Sequence, residues 1–269
     1  MPSEPVEFNG HTLRVFDEPL TLSSENAVPF LLNEVYWEYP EGYQQDAVFA
    51  ASAKTVFDIV ASGKAKPRAL VESLLRAVDE GRLMYQPATE AEARLISGSR
   101  LSGELPRTNE AATILGAYVN DFTTSKLDYY MQLEVVASTT QCTVPDSPTF
   151  TLTAKLTNTV TPEQAPNLPY PIAPAKYFTK GHVATNLVIY GPIGEAQAKV
   201  TVDGAARKGK VLQHLGRTAV MVPIHNEPGE SHTVNIEFQA TKGEYGALEV
   251  RHTPMVRNTP VSLRSPGCG

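Results

Sequence analysis

Asn120, Asp121, Lys126, Asp128 and Tyr130 fall within one short polar stretch of the chain. A lysine set among carboxylates and a side-chain amide suits recognition of sugar hydroxyls or a phosphate. The ammonium supplies donors, the carboxylates accept, and the tyrosine adds an apolar face with a polar tip. The same residues also have a structural use. Asp121 can cap a turn, Ser125 and Asp128 can form a capping pair, and Lys126 can offset nearby acids at a junction between elements. Trp37, the only tryptophan, crowds with Tyr36, Tyr39 and Tyr43 around Pro40 and Gly42. Aromatic faces on a loop stack against a carbohydrate or a partner protein, and they also close gaps between helices.

Other chemistry-bearing types are dispersed. Arg207, Lys208 and Lys210 follow the Asp203-Gly204 turn and form a compact basic patch, suited to an anionic polymer or to a solvated hairpin tip. His214, His225, His232 and His252 lack the close spacing of metal ligands, and no cysteine cluster accompanies them, so no metal is assigned. Gly191-Pro192-Ile193-Gly194 reads as a tight turn rather than a phosphate-cradling loop, and no nucleophile elbow or local nucleophile, base and orienter trio is present. No catalytic residue is assigned and no cofactor is expected. Binding is preferred to catalysis.

The elements that must position these residues follow from periodicity. Asn9-Gly10 between alternating apolar residues predicts a hairpin over Val6 to Val15. Val28, Leu31, Leu32 and Val35 have helical spacing, and Pro29 restricts that helix to a start near Asn26 or bends it. Val48, Phe49, Ser52, Ala53, Val56, Phe57 and Val60 mark a helix over Gln44 to Ala61 that stops at Gly63. Pro67 opens another, with Leu70, Val71, Leu74, Leu75 and Val78 as its stripe and Gly81 as its end. These apolar faces require a shared partner. Met84-Tyr85 predicts a brief strand, Thr89 to Ser97 a short helix and Ile114 to Val119 a strand.

Beyond Leu127 the period becomes two. Phe150, Leu152, Ala154 and Leu156 alternate with polar residues, as do Val234, Ile236 and Phe238, and the remaining runs bring the expectation to about seven strands. Pro162 to Pro174 contains five prolines and predicts a stiff, strand-free connection. The expected fold is α+β, with a mixed helix and strand part over 1–126 and an immunoglobulin-like antiparallel sandwich over 127–269.

Composition narrows the partners. The chain has 269 residues and a net charge of −6, with 19 acids to 11 bases up to Asp128 and 10 to 12 beyond it. Such a balance disfavours nucleic acid. No run approaches the roughly 20 apolar residues of a membrane span, and Met1 to Leu20 lacks signal-peptide blocks, so any targeting segment is expected upstream of Met1. Cys142 and Cys268, the only cysteines, either clasp the second half together in an oxidising compartment or remain two free thiols.

The run from Leu20 to Leu74, followed by LSGELP, AYVNDFTTSKLDYYM, LTAKLTNT and LVIYGPIG in the same order, resembles family 4012 of the domain-of-unknown-function series, best populated in actinobacteria. Its most specific piece is Tyr118 to Tyr130, matched at Asn120, Asp121, Lys126, Tyr129 and Tyr130. The resemblance implies an extracytoplasmic cell-envelope protein whose membrane anchor is absent from this chain, with a glycan or protein partner, and it supplies no catalytic residues. The first part also resembles LytR-CpsA-Psr polymer transferases, which implies an envelope polymer-processing enzyme as the alternative. The arginines those enzymes use to hold a polyprenyl pyrophosphate have no counterpart in Asn33 to Ser52.

Overall fold

The computed structural model describes residues 12–15, 18–23, 25–63 and 65–268. The expected Asn9-Gly10 turn lies outside these residues. A hairpin is present slightly later, pairing β1 (Thr12–Val15) with β2 (Glu18–Thr21).

The helices follow their local signals closely. α1 (Ala27–Pro29) begins just after Asn26, and the chain then widens into a π-helical turn over Phe30–Glu34 before α2 (Val35–Glu38). Pro29 is accommodated in the first turn, and in the wider turn that follows the Val35 N–H reaches the Phe30 carbonyl five residues back. α3 (Gly42–Ala61) opens on a capping box between Glu41 and Gln44, α4 (Pro67–Asp79) carries proline at its start, and α5 (Glu90–Ile96) is capped by Thr89 and Glu92. Met84 and Tyr85 form no strand; the Tyr85 N–H bonds instead to the Leu101 carbonyl.

The expected burial of the helical stripes is only partly met. Val48 and Ser52 of α3 are buried, whereas Phe57 is 71% exposed and α4 buries no residue at all. The reason lies in docking geometry. Phe30, Val35, Tyr36 and Val48 join the main core, so the helical region is anchored through its first half and the later stripes face outward.

Two sheets form the body. One has the order β12-β3-β6-β10-β9 and the other β13-β4-β5-β11-β7-β8. Their strands are β3 (Ala112–Asp121), β4 (Met131–Thr139), β5 (Thr149–Asn158), β6 (Val183–Ile193), β7 (Gln197–Val202) and β8 (Ala205–Ala206). They continue with β9 (Lys210–His214), β10 (Arg217–Asn226), β11 (Ser231–Gln239), β12 (Ala247–His252) and β13 (Val261–Arg264). Most pairings are antiparallel; β12 beside β3 and β13 beside β4 run parallel. The alternation read in β5 and β11 is real: Leu133, Leu152, Leu156, Val234, Ile236 and Phe238 of one sheet share a core with Leu115, Leu187, Ile189 and Val220 of the other.

Several expectations need correcting. Ten strands, not about seven, follow residue 127. β8, β9 and β13 are fully exposed, and a strand without a dry face shows no alternation to detect. The division placed after residue 126 passes through one shared core, because β3 lies before it and yet sits between β12 and β6. Gly191 and Pro192 belong to β6 and only Gly194, at φ +108°, turns the chain. Pro192 is tolerated there because β3 stops pairing at Tyr190 and the register with β10 slips between Arg217 and Ala219. The proline-rich connection is strand-free as expected, and it buries Ala165, Leu168 and Ile172 in the core as it crosses between sheets.

Cys142 and Cys268 form a disulfide across 126 residues of chain. It ties the segment after β13 to the loop after β4, and so holds a short, exposed parallel edge strand in place.

Candidate functional site

The polar stretch after β3 is built as a junction. Asp121 Oδ1 accepts from the Thr123 N–H at 2.8 Å and also from the Thr123 hydroxyl. It therefore caps the turn that leaves β3. Lys126 Nζ lies 5.3 Å from the centre of the Tyr36 ring, and the backbone N–H of Lys126 donates to Ile172. Tyr130 donates to Asn33 Oδ1 at 2.7 Å, and its pKa is raised above the usual tyrosine value chiefly by burial, with Asn33 and Trp37 opposing that shift. Asp128 is pushed above the carboxylate range by desolvation of its carboxyl and by the nearby charge of Asp121, although much of the residue stays open to solvent. Asn120 is exposed.

The structure thus brings Lys126, Tyr130 and Trp37 together against the π-helical turn, and sets Asp121 beside Asp128. Tyr36 is buried against Phe49, Trp37 is 47% exposed and Tyr43 lies at the surface, so the aromatic group divides between closing a gap and facing solvent.

A cleft of about 930 Å³ lies elsewhere, between the end of α4 with its following loop and the edge formed by β12, the 253–260 loop and β13. Arg82 fixes one wall: its Nε donates to Glu80 at 2.8 Å and its Nη2 to the Met255 carbonyl at 2.8 Å, joining the helical region to the 253–260 loop. Arg100 donates to the Asp79 carbonyl and stands 3.9 Å from Glu249. Arg251, on β12, donates through Nη1 to the Glu104 carbonyl at 2.6 Å. It has no ion-pair partner among the described residues, and its Nε is buried without a hydrogen bond. Burial, then the neighbouring charge of Arg100, lowers its pKa.

Tyr118, on β3, forms the floor. Its ring lies over Gly116, where a Cβ would meet it at 2.6 Å, and edges against Tyr190 with centres 5.7 Å apart. Glycine at 116 is therefore required for this placement. Burial raises the Tyr118 pKa despite the nearby arginines, which keeps the hydroxyl protonated as a donor.

Arg217 lies behind that floor. It is 0% exposed and donates to the carbonyls of Ile114, Gly191 and Pro106 at 2.8, 2.9 and 2.7 Å. These three acceptors replace water around a buried cation and bolt the segment before β3 to β3 and β6. Burial pushes its pKa down to about 10. Asn109 reinforces the same seam, exchanging two 3.0 Å hydrogen bonds with Ile193 as a strand residue would.

Sequence reasoning missed Arg82, Arg100, Arg217 and Arg251 because they are scattered over 170 residues with no shared motif. Tyr118 opened the most specific stretch of the resemblance but was not singled out. The histidines take separate structural roles: His214 bonds Tyr190, His232 bonds Asp203, and His225 stacks near His182. Among the described residues no group of three or more histidine, cysteine or acidic side chains is placed to hold a metal. The Asp203-Gly204 turn is confirmed by positive φ at both residues, and the basic residues after it are exposed.

No family model and no curated protein matches the sequence. Among solved structures, one from Legionella pneumophila, described as a nutrient-binding protein, aligns over 49% of this chain and 44% of its own length at 10% identity and a TM-score of 0.29. The chain thus spans less than half of that protein, and a superposition so loose carries no information on fold or ligand.

Proposed function

We propose that the protein is a binding module of the cell envelope, related to family 4012, in which a helical region and an immunoglobulin-like sandwich close on a ligand. The observation that carries this reading is the cleft, whose walls come from both regions and whose lining mixes apolar side chains with arginines and Tyr118. The disulfide supports an oxidising, extracytoplasmic setting, since such bonds persist there. The expected partner is an envelope glycan or protein.

An envelope polymer-processing enzyme with its centre at Asn120 to Tyr130 is the alternative. It would need Asp121 and Lys126 free for chemistry, whereas Asp121 is engaged by Thr123 and Lys126 lies over Tyr36. The binding reading therefore stands ahead.

Immobilised protein challenged with an envelope extract tests it, alongside a Val261→Trp variant that narrows the cleft from an exposed strand position. Wild type should retain a glycan or protein that the variant releases, at matched melting temperature. Retention of nothing, or equal retention by both proteins, overturns the proposal.

A further inference from the structure

Three arginines and three acids line the cleft, but they are not evenly matched. Glu80 is bonded to Arg82, and Glu249 faces Arg100 at 3.9 Å. Arg251 makes no ion pair among the described residues and feels Glu249 only at longer range, Arg100 adds like charge beside it, and the fully buried Arg217 adds another from behind the floor. Such an arrangement leaves mutual repulsion that an incoming anion would relieve.

The donors are also uncommitted. Nη1 of Arg251 is the guanidinium nitrogen that its Glu104 bond occupies, which leaves Nη2 for another acceptor. Tyr118 lines the same space, and its hydroxyl makes no hydrogen bond among the described residues. The 253–260 loop adds Thr253, whose hydroxyl accepts from the Val119 N–H at 3.0 Å, and Thr259, whose buried hydroxyl has no partner.

Resting on the reading of the cleft as a ligand site, we propose that it takes a small molecule bearing an oxyanion, held between Arg100 and Arg251 with the Tyr118 hydroxyl donating to it. Carboxylate and phosphate share this chemistry, since both accept charge-assisted hydrogen bonds from guanidinium groups. The apolar neighbours Val250, Val256, Val261 and Leu263 would receive the uncharged remainder of the molecule.

Backbone amide NMR titrations of the full chain with inorganic phosphate and, separately, with succinate test this. Saturable shifts are expected at residues 100–103 and 250–254 for at least one of the two, and the one that saturates at lower concentration identifies the oxyanion. Arg251→Gln and Arg100→Gln should each weaken binding at least tenfold, while Arg207→Gln at the exposed hairpin should leave it unchanged. The contacts of Arg100 are solvent-exposed, whereas Arg251 has a buried Nε, so the Arg100 variant keeps the test decisive if Arg251→Gln melts early. Shifts confined to the Arg207 region, shifts that never saturate, or binding indifferent to both cleft variants overturn the proposal. If neither anion binds while an extract-derived ligand is still lost in Val261→Trp, only the oxyanion assignment fails. If that ligand too is indifferent to Val261→Trp, the cleft reading fails with it.

Discussion

Breaking the Cys142–Cys268 bond is the perturbation whose size follows most directly from the structure. The bridge spans 126 residues. Loop-closure entropy for a span of that length corresponds to about 5 kcal/mol at 25 °C. That figure is an upper bound here, because β13 is a four-residue exposed edge strand that pairs with β4, and freeing it lets the end of the native chain fray and recover part of the entropy. An unfolding entropy near 2.1 cal/mol/K per residue converts each kcal/mol into about 2 °C for a chain of this size. Cys142→Ser/Cys268→Ser should therefore melt roughly 5 to 9 °C below wild type. Reducing agent should shift wild type to the same temperature and leave the double variant unmoved. Two titratable thiols in the unreduced protein, or identical melting with and without reductant, would refute the reasoning.

Three further outcomes are expected. Arg217→Met strands the carbonyls of Ile114, Gly191 and Pro106 in a dry seam, and should lower stability by about 3 kcal/mol in urea unfolding; an unchanged midpoint would show that the bolt is dispensable. Asp121→Ala removes the cap on the turn after β3 and should cost about 2 kcal/mol without loss of ligand retention, whereas lost retention at an unchanged melting temperature would restore the site reading. For His232, burial alone would lower the pKa, but the hydrogen bond to Asp203 and the charges of Glu230 and Asp203 raise it overall. A raised folded pKa gives stability that is present below the ordinary histidine value and lost as pH rises through the folded one. Wild type should thus exceed His232→Gln by more at pH 5.5 than at pH 8.5, and a constant difference between them would contradict the assignment.

Local signals carried the sequence reading where one element decides its own form. Pro67, Gly81 and the Thr89 capping box mark helix ends, and the alternation of Phe150 to Leu156 marks a strand with one dry face. The same logic failed for β9 and β13, which have no dry face, and for the stripe of α4, whose periodicity shows a helix without showing what covers it. In the polar stretch at 120–130 the turn chemistry was written in Asp121 and Thr123. The cleft was not legible because it is assembled from residues near 80, 100, 118 and 250 that only the parallel pairing of β12 with β3 brings together.

The most direct check on the central claim is a crystal structure of the protein with its retained ligand, or with the anion that saturates. Electron density is expected between Arg100 and Arg251, over the Tyr118 ring and against the 253–260 loop. Density over Trp37 and Tyr130 instead, with an empty cleft, would contradict it.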